Sequence, residues 1–320
     1  MLGRSKGESV SRSSRPHPST IPPGRGEAAP GGLRGWVLGR RLLAYFAAAY
    51  ALTLLAALVV YGPTLLGHDT PSAQLWRALA AFPLMVIGVG AAGITLTTIT
   101  AGRRGRRQLW ARMRPGQAAA RWYAVVLLPP AAILTVLLGL RAAVSTGFAP
   151  GRNRYGLAFG LLAGFSEELG WTGYAWPRLR PRFRSTLGAG ATLGVGWGLW
   201  HLPVIDHLGV HPHGVYWTPF AAAFIAAVAA LRVLIAWAYS HTGSLLVAQL
   251  LHASSTGSLV LLSPLTVTPA QEALWYAGYA LALSAAVAAI TSPDPSLWAP
   301  LRAVSTPVPV TREPCRKGGS

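Results

Sequence analysis

Acidic residues are scarce in this chain. Asp and Glu together number nine among 320 residues, and charged residues of all kinds make up 12%. Soluble domains carry about a quarter charged residues, whereas 52% of this chain is hydrophobic. The composition therefore excludes an ordinary soluble globular domain and indicates a polytopic membrane protein.

Cysteine is nearly absent as well. The single Cys315 excludes an intramolecular disulfide framework and any multi-cysteine zinc site. The net charge of +19 would suggest nucleic-acid binding in a soluble protein, but the arginines lie between apolar runs and show no aromatic interleaving. We therefore expect no nucleic-acid partner and assign the positive charge to membrane topology.

Both ends of the chain also lack long apolar runs. Residues 1–35 are rich in Ser, Pro, Gly and Arg, and residues 292–320 are Pro-rich, so both are predicted to be disordered tails. No apolar run begins before Leu42, so no cleavable signal peptide is expected. Residues 36–291 are the predicted transmembrane domain.

Apolar runs of membrane-spanning length recur through this domain. A bilayer core takes roughly 20 residues per helix, and on that scale the fold class is all-α with eight predicted spans. They are about 42–62, 78–100, 122–140, 156–176, 186–205, 218–239, 243–263 and 272–291. Pro129-Pro130 should kink the third span, and the glycines of the fifth indicate close helix packing.

The Lys and Arg residues of the loops give an independent check of this count. With the N-terminus inside, the cytoplasmic segments 1–41, 101–121, 178–184 and the chain after 291 carry eight, seven, four and four of them. The opposite side carries four. Because positive residues accumulate on the cytoplasmic side, we predict an N-in, C-in topology. Segment 103–116 then reads as a cytoplasmic loop that meets anionic lipid.

A few ionisable residues interrupt the predicted spans. Such residues are costly in a membrane and are candidates for function; they are Glu167, Glu168, His201, Arg232 and His252. Two close carboxylates disfavour double ionisation, which favours a general acid or base, and histidines can hold water, an oxyanion or a metal. The alternative is structural, with glutamates paired to arginine and histidines bonded to backbone. Adjacent helical residues point about 100° apart, so one glutamate can face a cavity while the other braces a neighbouring helix.

Three stretches around these residues carry a resemblance. They are "SEELGWTGYAWPRLR", "GVGWGLWHLP" and "WAYSHTGSLLVAQLLHASSTGS". In order and spacing they resemble the CAAX-protease and bacteriocin-processing family of intramembrane proteases, which shows Glu-Glu-x-x-x-Arg, then an aromatic-x-x-x-His, then a His followed four residues later by Asn. The resemblance covers about residues 156–263.

The resemblance implies peptide-bond hydrolysis within a membrane cavity. It implies that Glu167 and His201 activate the attacking water, that His252 stabilises the oxyanion with the residue four positions later, here Thr256, and that Glu168 is a supporting carboxylate. Members are commonly labelled metalloproteases. A divalent metal such as zinc, held by Glu167, His201 and His252, and hydrolysis without a metal both stay open, because the sequence has no HExxH motif.

This sequence departs from the family pattern at two main positions. Thr172 stands where the family has its motif-one Arg, and Thr256 stands in place of the Asn; a lesser departure is His241, where Arg is usual. Arg232 is a candidate replacement partner for Glu168, and a snorkelling residue near a helix end is the equal alternative. Thr256 can still donate one hydrogen bond.

Other histidines carry less weight. His211 and His213 could bind a metal weakly from the loop "IDHLGVHPHGVYW", although a solvated loop is the preferred interpretation. The tryptophans near these motifs are explained mostly by interfacial belts and packing.

These observations lead to one preferred function and two alternatives. The preferred function is an intramembrane endopeptidase that acts on a membrane-associated peptide or protein. The alternatives are a catalytically degenerate membrane protein with an immunity, chaperone or secretion-support role, and a proton-coupled transporter, for which the expected inverted repeat is not evident. The Ala-, Gly- and Arg-rich composition suggests a GC-rich bacterial genome. We therefore expect the protein in a bacterial plasma membrane.

Overall fold

The computed structural model describes residues 37, 39–61, 71–116, 118–205 and 212–292. Within these ranges the ordered elements are helices, and no β-strand occurs, so the predicted all-α class is confirmed. The predicted tails, apart from Ser292, and Cys315 lie outside the described residues.

The helices follow one another with short connections. In chain order they are α1 (Arg41–Tyr61), α2 (Pro71–Ala111), α3 (Ala120–Ala124), α4 (Leu128–Ala143), α5 (Gly156–Gly170), α6 (Trp176–Leu179), α7 (Thr186–Trp200), α8 (Leu202–Ile205), α9 (Trp217–Thr242), α10 (Leu245–Leu262) and α11 (Pro269–Thr291). Short 3₁₀ turns lie at Val125–Leu127, Thr146–Phe148, Arg180–Arg182 and Gly214–Tyr216, and a π-turn at Trp171–Ala175 joins α5 to α6.

Each predicted span corresponds to helix in the structure. Among the described residues, six helical segments are long and apolar enough to cross a membrane, namely Arg41–Tyr61, Leu79–Ala111, Ala120–Ala143, Gly214–Thr242, Leu245–Leu262 and Pro269–Ile290. The predicted spans 156–176 and 186–205 contain α5 and α7, whose α-helical parts have 15 residues each. The polytopic class is confirmed, whereas the count of eight and the N-in, C-in orientation stay predictions.

Two breaks interrupt long helices where the sequence supplies a reason. The 3₁₀ turn Val125–Leu127 immediately precedes α4, which begins with Leu128 and Pro129; proline lacks the N–H that a continuous helix needs there. Gly102 inside α2 has φ 59° and ψ −152°, a left-handed conformation that glycine adopts without a steric penalty. The basic segment after Gly102 therefore leaves the axis of the preceding apolar segment.

Two glycine ladders bring the central helices into backbone contact. Gly156, Gly160 and Gly164 lie four residues apart on α5 and therefore share one face, which packs against α10. A Cβ on Gly160 would lie 2.7 Å from the Cα of Gly257 and would also meet the carbonyl oxygen of Ala253. The close approach places α5, which carries both glutamates, directly against the helix that carries His252.

The second ladder joins α7 to α9. Gly190, Gly194 and Gly198 share a face of α7, and a Cβ on Gly194 would lie 2.6 Å from the Cα of Ala229. Small residues at four-residue spacing favour such contacts in membranes, where van der Waals packing drives helix association. Together the two ladders gather the motif-bearing helices α5, α7, α9 and α10 into one bundle.

Candidate active site

The π-turn Trp171–Ala175 follows directly on the two glutamates of α5. The N–H of Trp171, the first residue of the π-turn, reaches the carbonyls of both Glu167 and Glu168. The side chains of Trp171 and Thr172 both reach back four residues, to Glu167 and Glu168 respectively. Single π-turns inside α-helices are frequent at functional sites, and this one supplies a donor to each carboxylate.

Glu168 is enclosed by donors from three helices. Nη1 of Arg232 on α9 donates to both carboxylate oxygens, at 3.1 Å to Oε1 and 2.9 Å to Oε2. Nδ1 of His252 on α10 donates to Oε1 at 3.0 Å, and the hydroxyl of Thr172 donates to Oε2. Both oxygens thus have two donors, which is what a carboxylate with a fully buried side chain requires.

The surroundings of Arg232 distinguish between the two roles considered for it, a partner of Glu168 and a snorkelling residue. Its side chain is fully buried and forms a salt bridge with Glu168, and its Nη2 donates to the Thr172 hydroxyl at 2.8 Å. The interpretation of Arg232 as a snorkelling residue is wrong, because no part of the side chain reaches a surface. Thr172 stands where the family pattern has arginine, and here its hydroxyl links the carboxylate to an arginine from another helix.

Glu167 has different surroundings. Its Oε2 accepts hydrogen bonds from the indole N–H groups of Trp171 at 3.0 Å and Trp197 at 2.9 Å. Among the described residues no protein donor is recorded for Oε1. Two fixed indoles therefore hold one oxygen in place and leave the other available to a water molecule.

His201 closes the carboxyl end of α7. Its Nδ1 lies 3.0 Å from the carbonyl oxygen of Trp197, one turn earlier, so Nδ1 carries the proton and Nε2 of the neutral ring is an acceptor. The ring contacts Trp200 and Phe224 edge-on, with centroids 4.7 and 4.9 Å apart. These contacts fix the orientation of an imidazole whose Nε2 can accept a proton.

His252 and Thr256 lie four residues apart on one face of α10. The His252 ring packs edge-on against Trp197 at 4.7 Å, and its Nδ1 is committed to Glu168. A donor role for Nε2 therefore requires a second proton on the ring. The Thr256 hydroxyl, by contrast, is a donor in any protonation state.

One cavity joins these side chains. It has a volume of about 230 Å³, and Glu167, His201, His252 and Thr256 all contribute to its lining. Glu168 does not line it. Most of the remaining lining is apolar or aromatic and comes from α2, α5, α9, α10 and α11. The structure therefore brings together four of the five predicted site residues and places the fifth behind them.

The prospective metal ligands do not form a cluster. Across the part of the chain that the structure describes, no three His, Cys, Asp or Glu side chains are grouped so that they could hold a metal ion. In particular, the set Glu167, His201 and His252 lines the cavity without closing on a common point, and Oε2 of Glu167 is already engaged by two indoles. The arrangement does not fit a metal centre built from these three residues, and no step below depends on one.

The interpretation of one loop histidine needs correction. His213 is 1% exposed, stacks on Phe220 with ring centroids 4.1 Å apart, and pairs with Glu272 at 3.3 Å. A solvated loop is therefore wrong for His213, because helices α9 and α11 pack around it. The other loop histidine, His211, and its neighbours Asp206 and His207 lie outside the described residues.

Sequence reasoning also underrated the tryptophans. Trp171 and Trp197 were attributed to interfacial belts and packing, yet both indoles donate to Glu167. The signal was available for Trp171, which follows Glu167 at the i, i+4 spacing that lets helical side chains meet. For Trp197 no local pattern could have shown it, since the bond joins two helices.

Comparisons with known proteins agree with this geometry. A family model described as type II CAAX prenyl endopeptidase Rce1-like matches residues 153–258, a range that contains the glutamates, both motif histidines, Thr172, Arg232 and Thr256. The chain is also similar to CAAX prenyl protease 2 of Methanococcus maripaludis, with 35% identity over 88 residues. That match covers 25% of this chain and 32% of the relative, so it spans about a third of the relative's length.

The three motifs, their assembly around one cavity and these two similarities lead to the same family. Residues 153–258 carry the similarity to the family model described as type II CAAX prenyl endopeptidase Rce1-like.

Proposed function

We propose that this protein is an intramembrane endopeptidase of the CAAX-protease type, which hydrolyses a peptide bond of a membrane-associated substrate. The observation that carries the proposal is the cavity that Glu167, His201, His252 and Thr256 line together. It combines a carboxylate held by two indoles with an imidazole whose Nε2 is an acceptor. That combination suits the activation of water.

In the proposed reaction, a water molecule lies between Oε1 of Glu167 and Nε2 of His201. One of these groups takes its proton as the oxygen attacks the carbonyl carbon of the substrate, and the same proton later passes to the departing amine. Proton transfer by a positioned side chain contributes typically 10²–10⁴-fold to a rate. The apolar lining limits competing water and strengthens each polar contact.

The negative charge that develops on the carbonyl oxygen needs a donor. The Thr256 hydroxyl can supply one hydrogen bond, and His252 can supply a second when Nε2 is protonated. Glu168 acts from behind by holding Nδ1 of His252 at 3.0 Å. It is therefore a positioning residue in this proposal and does not itself contact substrate.

The name of the relative contributes a substrate class for testing. A CAAX prenyl protease acts, by its name, on prenylated CAAX sequences, and we propose that the substrate here is likewise a lipid-proximal peptide. The catalytically degenerate alternative rests on Thr172 and Thr256. The argument from Thr172 is weakened by Arg232, because α9 supplies the arginine that position 172 lacks.

The test is cleavage of a peptide library by the purified full-length protein in detergent. Wild type is expected to cleave at least one member, and Glu167→Gln and His201→Ala are each expected to lower cleavage at least 10²-fold while the protein stays folded. Cleavage that persists in both variants would refute the proposed chemistry. Growth complementation by both variants would instead support the non-enzymatic alternative. Chelator sensitivity of the same preparation tests whether a metal takes part.

A further inference from the structure

A second cleft lies between the basic end of α2 and the helix that follows the π-turn. Its volume is about 540 Å³, and two arginines, Arg112 and Arg178, contribute to its lining. The other lining residues are small or uncharged: Thr97, Ala101, Gly105, Gln108, Ala111, Gly173 and Pro177. None of the residues that line the active-site cavity is among them.

Both guanidinium groups are held in place by the protein. Arg178 donates from Nη1 to the carbonyl of Tyr174 at 2.7 Å and from Nη2 to Thr100 at 3.2 Å, and its guanidinium lies 3.6 Å from the centre of the Tyr174 ring. Arg112 donates from Nε to the carbonyl of Gln108 and from Nη1 to the hydroxyl of Tyr239. Neither arginine has to lose much side-chain freedom to meet a ligand.

The positive charge of the cleft has no carboxylate to balance it within the described residues. The acidic residues there are Glu167, Glu168 and Glu272, of which the first two line or brace the active site and the third pairs with His213. Burial lowers the pKa of Arg178, the neighbouring Tyr174 partly offsets this, and the charges of Arg41 and Arg112 lower the pKa further. The cleft is lined by two of these cations, Arg112 and Arg178.

One nitrogen of Arg178 is also unsatisfied. Nε of Arg178 is buried, and it has no hydrogen-bond partner in the described part of the chain. Leaving a buried charged donor without an acceptor costs free energy, as does the proximity of like charges. An anion with several oxygens would offset the proximity of like charges, and phosphate, like carboxylate, has a geometry that suits guanidinium groups.

The position of the cleft points to the membrane as the source of that phosphate. It begins at Thr97 and Ala101, at the end of the apolar part of α2, and Gly102 then turns the helix aside. The following segment carries exposed arginines, and Trp110 is 47% exposed. Basic residues with an exposed tryptophan at the end of a span are typical of headgroup depth.

We infer that this cleft binds the phosphate group of an anionic phospholipid through Arg112 and Arg178. The floor of the cleft adjoins the π-turn that follows α5. There Leu109 is fully buried, and its Cδ1 lies 2.6 Å from where a Cβ on Gly173 would be. Gly173 belongs to the π-turn whose first two residues, Trp171 and Thr172, donate to Glu167 and Glu168. A bound headgroup would therefore stabilise the segment that positions both carboxylates. This site does not depend on the proposed proteolysis.

The experiment measures lipid binding to the full-length protein in detergent micelles. Short-chain phosphatidylglycerol, phosphatidylcholine and inorganic phosphate are titrated separately, with binding followed by native mass spectrometry and by the shift in melting temperature. We expect phosphatidylglycerol to bind at least tenfold more tightly than the other two. Equal binding of phosphatidylcholine would overturn the anionic preference, and equal binding of inorganic phosphate would overturn the lipid as its source.

Variants then assign the site. Arg178→Gln is expected to weaken phosphatidylglycerol binding about tenfold, whereas Arg184→Gln, which removes an equal charge from an exposed position six residues further along the chain, should change it less than twofold. Equal losses in the two variants would show diffuse attraction and refute the cleft.

A second variant keeps the proposal testable if Arg178→Gln fails to fold. Ala101→Leu retains every arginine and adds a side chain within the lining, so it should also reduce binding about tenfold. Unchanged binding in a folded Ala101→Leu protein would contradict a phosphate in this cleft.

Discussion

Glu167 and Glu168 are neighbours in the sequence and have opposite surroundings in the fold. Glu168 accepts hydrogen bonds on both oxygens from Arg232, His252 and Thr172, and it does not line the cavity. Glu167 accepts two bonds on one oxygen only and lines the cavity. A turn of about 100° thus separates a carboxylate that holds the bundle together from one that can meet a substrate.

The difference teaches that burial alone does not distinguish the carboxylate proposed as catalytic from its neighbour. Glu167 is 2% exposed and Glu168 is fully buried, yet their partners differ in kind. A guanidinium and an imidazole enclose Glu168, while two neutral indoles hold Glu167. Removing a partner should therefore damage the fold in one case and the chemistry in the other.

Arg232→Met should have the largest effect, on both fold and activity. It leaves Glu168 buried without a countercharge, and breaking a buried ion pair in this way costs about 3–5 kcal/mol. A thermal melt in detergent should show a large drop, and cleavage should be lost with it. Arg184→Met, at an exposed position, is the matched control and should melt like wild type.

Relocating the charge tests whether the guanidinium itself is what matters. Nη2 of Arg232 lies 2.8 Å from the Thr172 hydroxyl, so an arginine at position 172 can serve the same carboxylate. Thr172→Arg combined with Arg232→Met should recover part of the lost melting temperature. A double variant as unstable as Arg232→Met alone would show that only an arginine on α9 can stabilise Glu168.

Glu167→Gln should separate chemistry from fold. The amide oxygen can still accept from both indoles, so the free energy of unfolding should change by less than about 1 kcal/mol. The proton acceptor is gone, and cleavage should fall about 10²–10⁴-fold. Glu168→Gln, measured beside it, should lose stability as well, because Arg232 then lacks its countercharge. Equal melting temperatures for the two variants would contradict the contrast between the glutamates.

Gly160→Ala should lower turnover by separating α5 from α10, the two helices that carry Glu167 and His252. The added Cβ would meet the carbonyl of Ala253, so α5 and α10 must separate, at a cost of about 1–3 kcal/mol. His252 would then move relative to Glu168, and turnover should fall. Gly139→Ala is the control, since nothing lies within 4 Å of its Cβ; it should stabilise α4 by about 0.5–1 kcal/mol.

Trp197→Phe should remove one of the two donors that hold Glu167 while keeping an aromatic ring against His252. A hydrogen bond to a charged group contributes about 1.5–3 kcal/mol, so kcat should fall by roughly tenfold or more while the protein stays folded. Steady-state kinetics should place the loss in kcat, not in KM. A variant with unchanged kcat would show that Trp171 alone suffices to hold Glu167.

Thr256→Ala should have the smallest effect of the series. It removes one neutral donor from the cavity lining, which contributes about 0.5–1.5 kcal/mol, so turnover should fall about twofold to tenfold. Thr256→Asn restores the residue that the family pattern has at this position, and should raise turnover. A fall in both variants would show that the cavity is fitted to threonine.

The helices and the cavity-lining residues could be predicted from the sequence because each has a local signal. Apolar runs of about 20 residues predict spans, and ionisable residues such as Glu167 and His252 stand out within them. The break at Pro129-Pro130 was also predictable, since proline cannot donate to a helix. These features depend on a single segment of chain.

What the sequence could not decide depends on pairs of segments. Arg232 is 64 residues from Glu168, and nothing in the local pattern of α9 shows which helix it faces. No local sequence pattern indicates the π-turn after Glu168. The pairing of His213 with Glu272 brings together two distant segments of the chain. Even the division of roles between the two glutamates required knowing which neighbours surround each one.

The position of Arg232 on a later helix than Glu168 also affects how the chain enters a membrane. An arginine at position 172 would lie four residues from Glu168 and could neutralise it as that helix inserts. In this chain the countercharge arrives only with α9, so α5 carries an unpaired carboxylate until then. A charge at the centre of a membrane helix opposes insertion by about 2.5–3.5 kcal/mol. The fourth predicted span should therefore insert poorly alone and require the rest of the domain for its biogenesis.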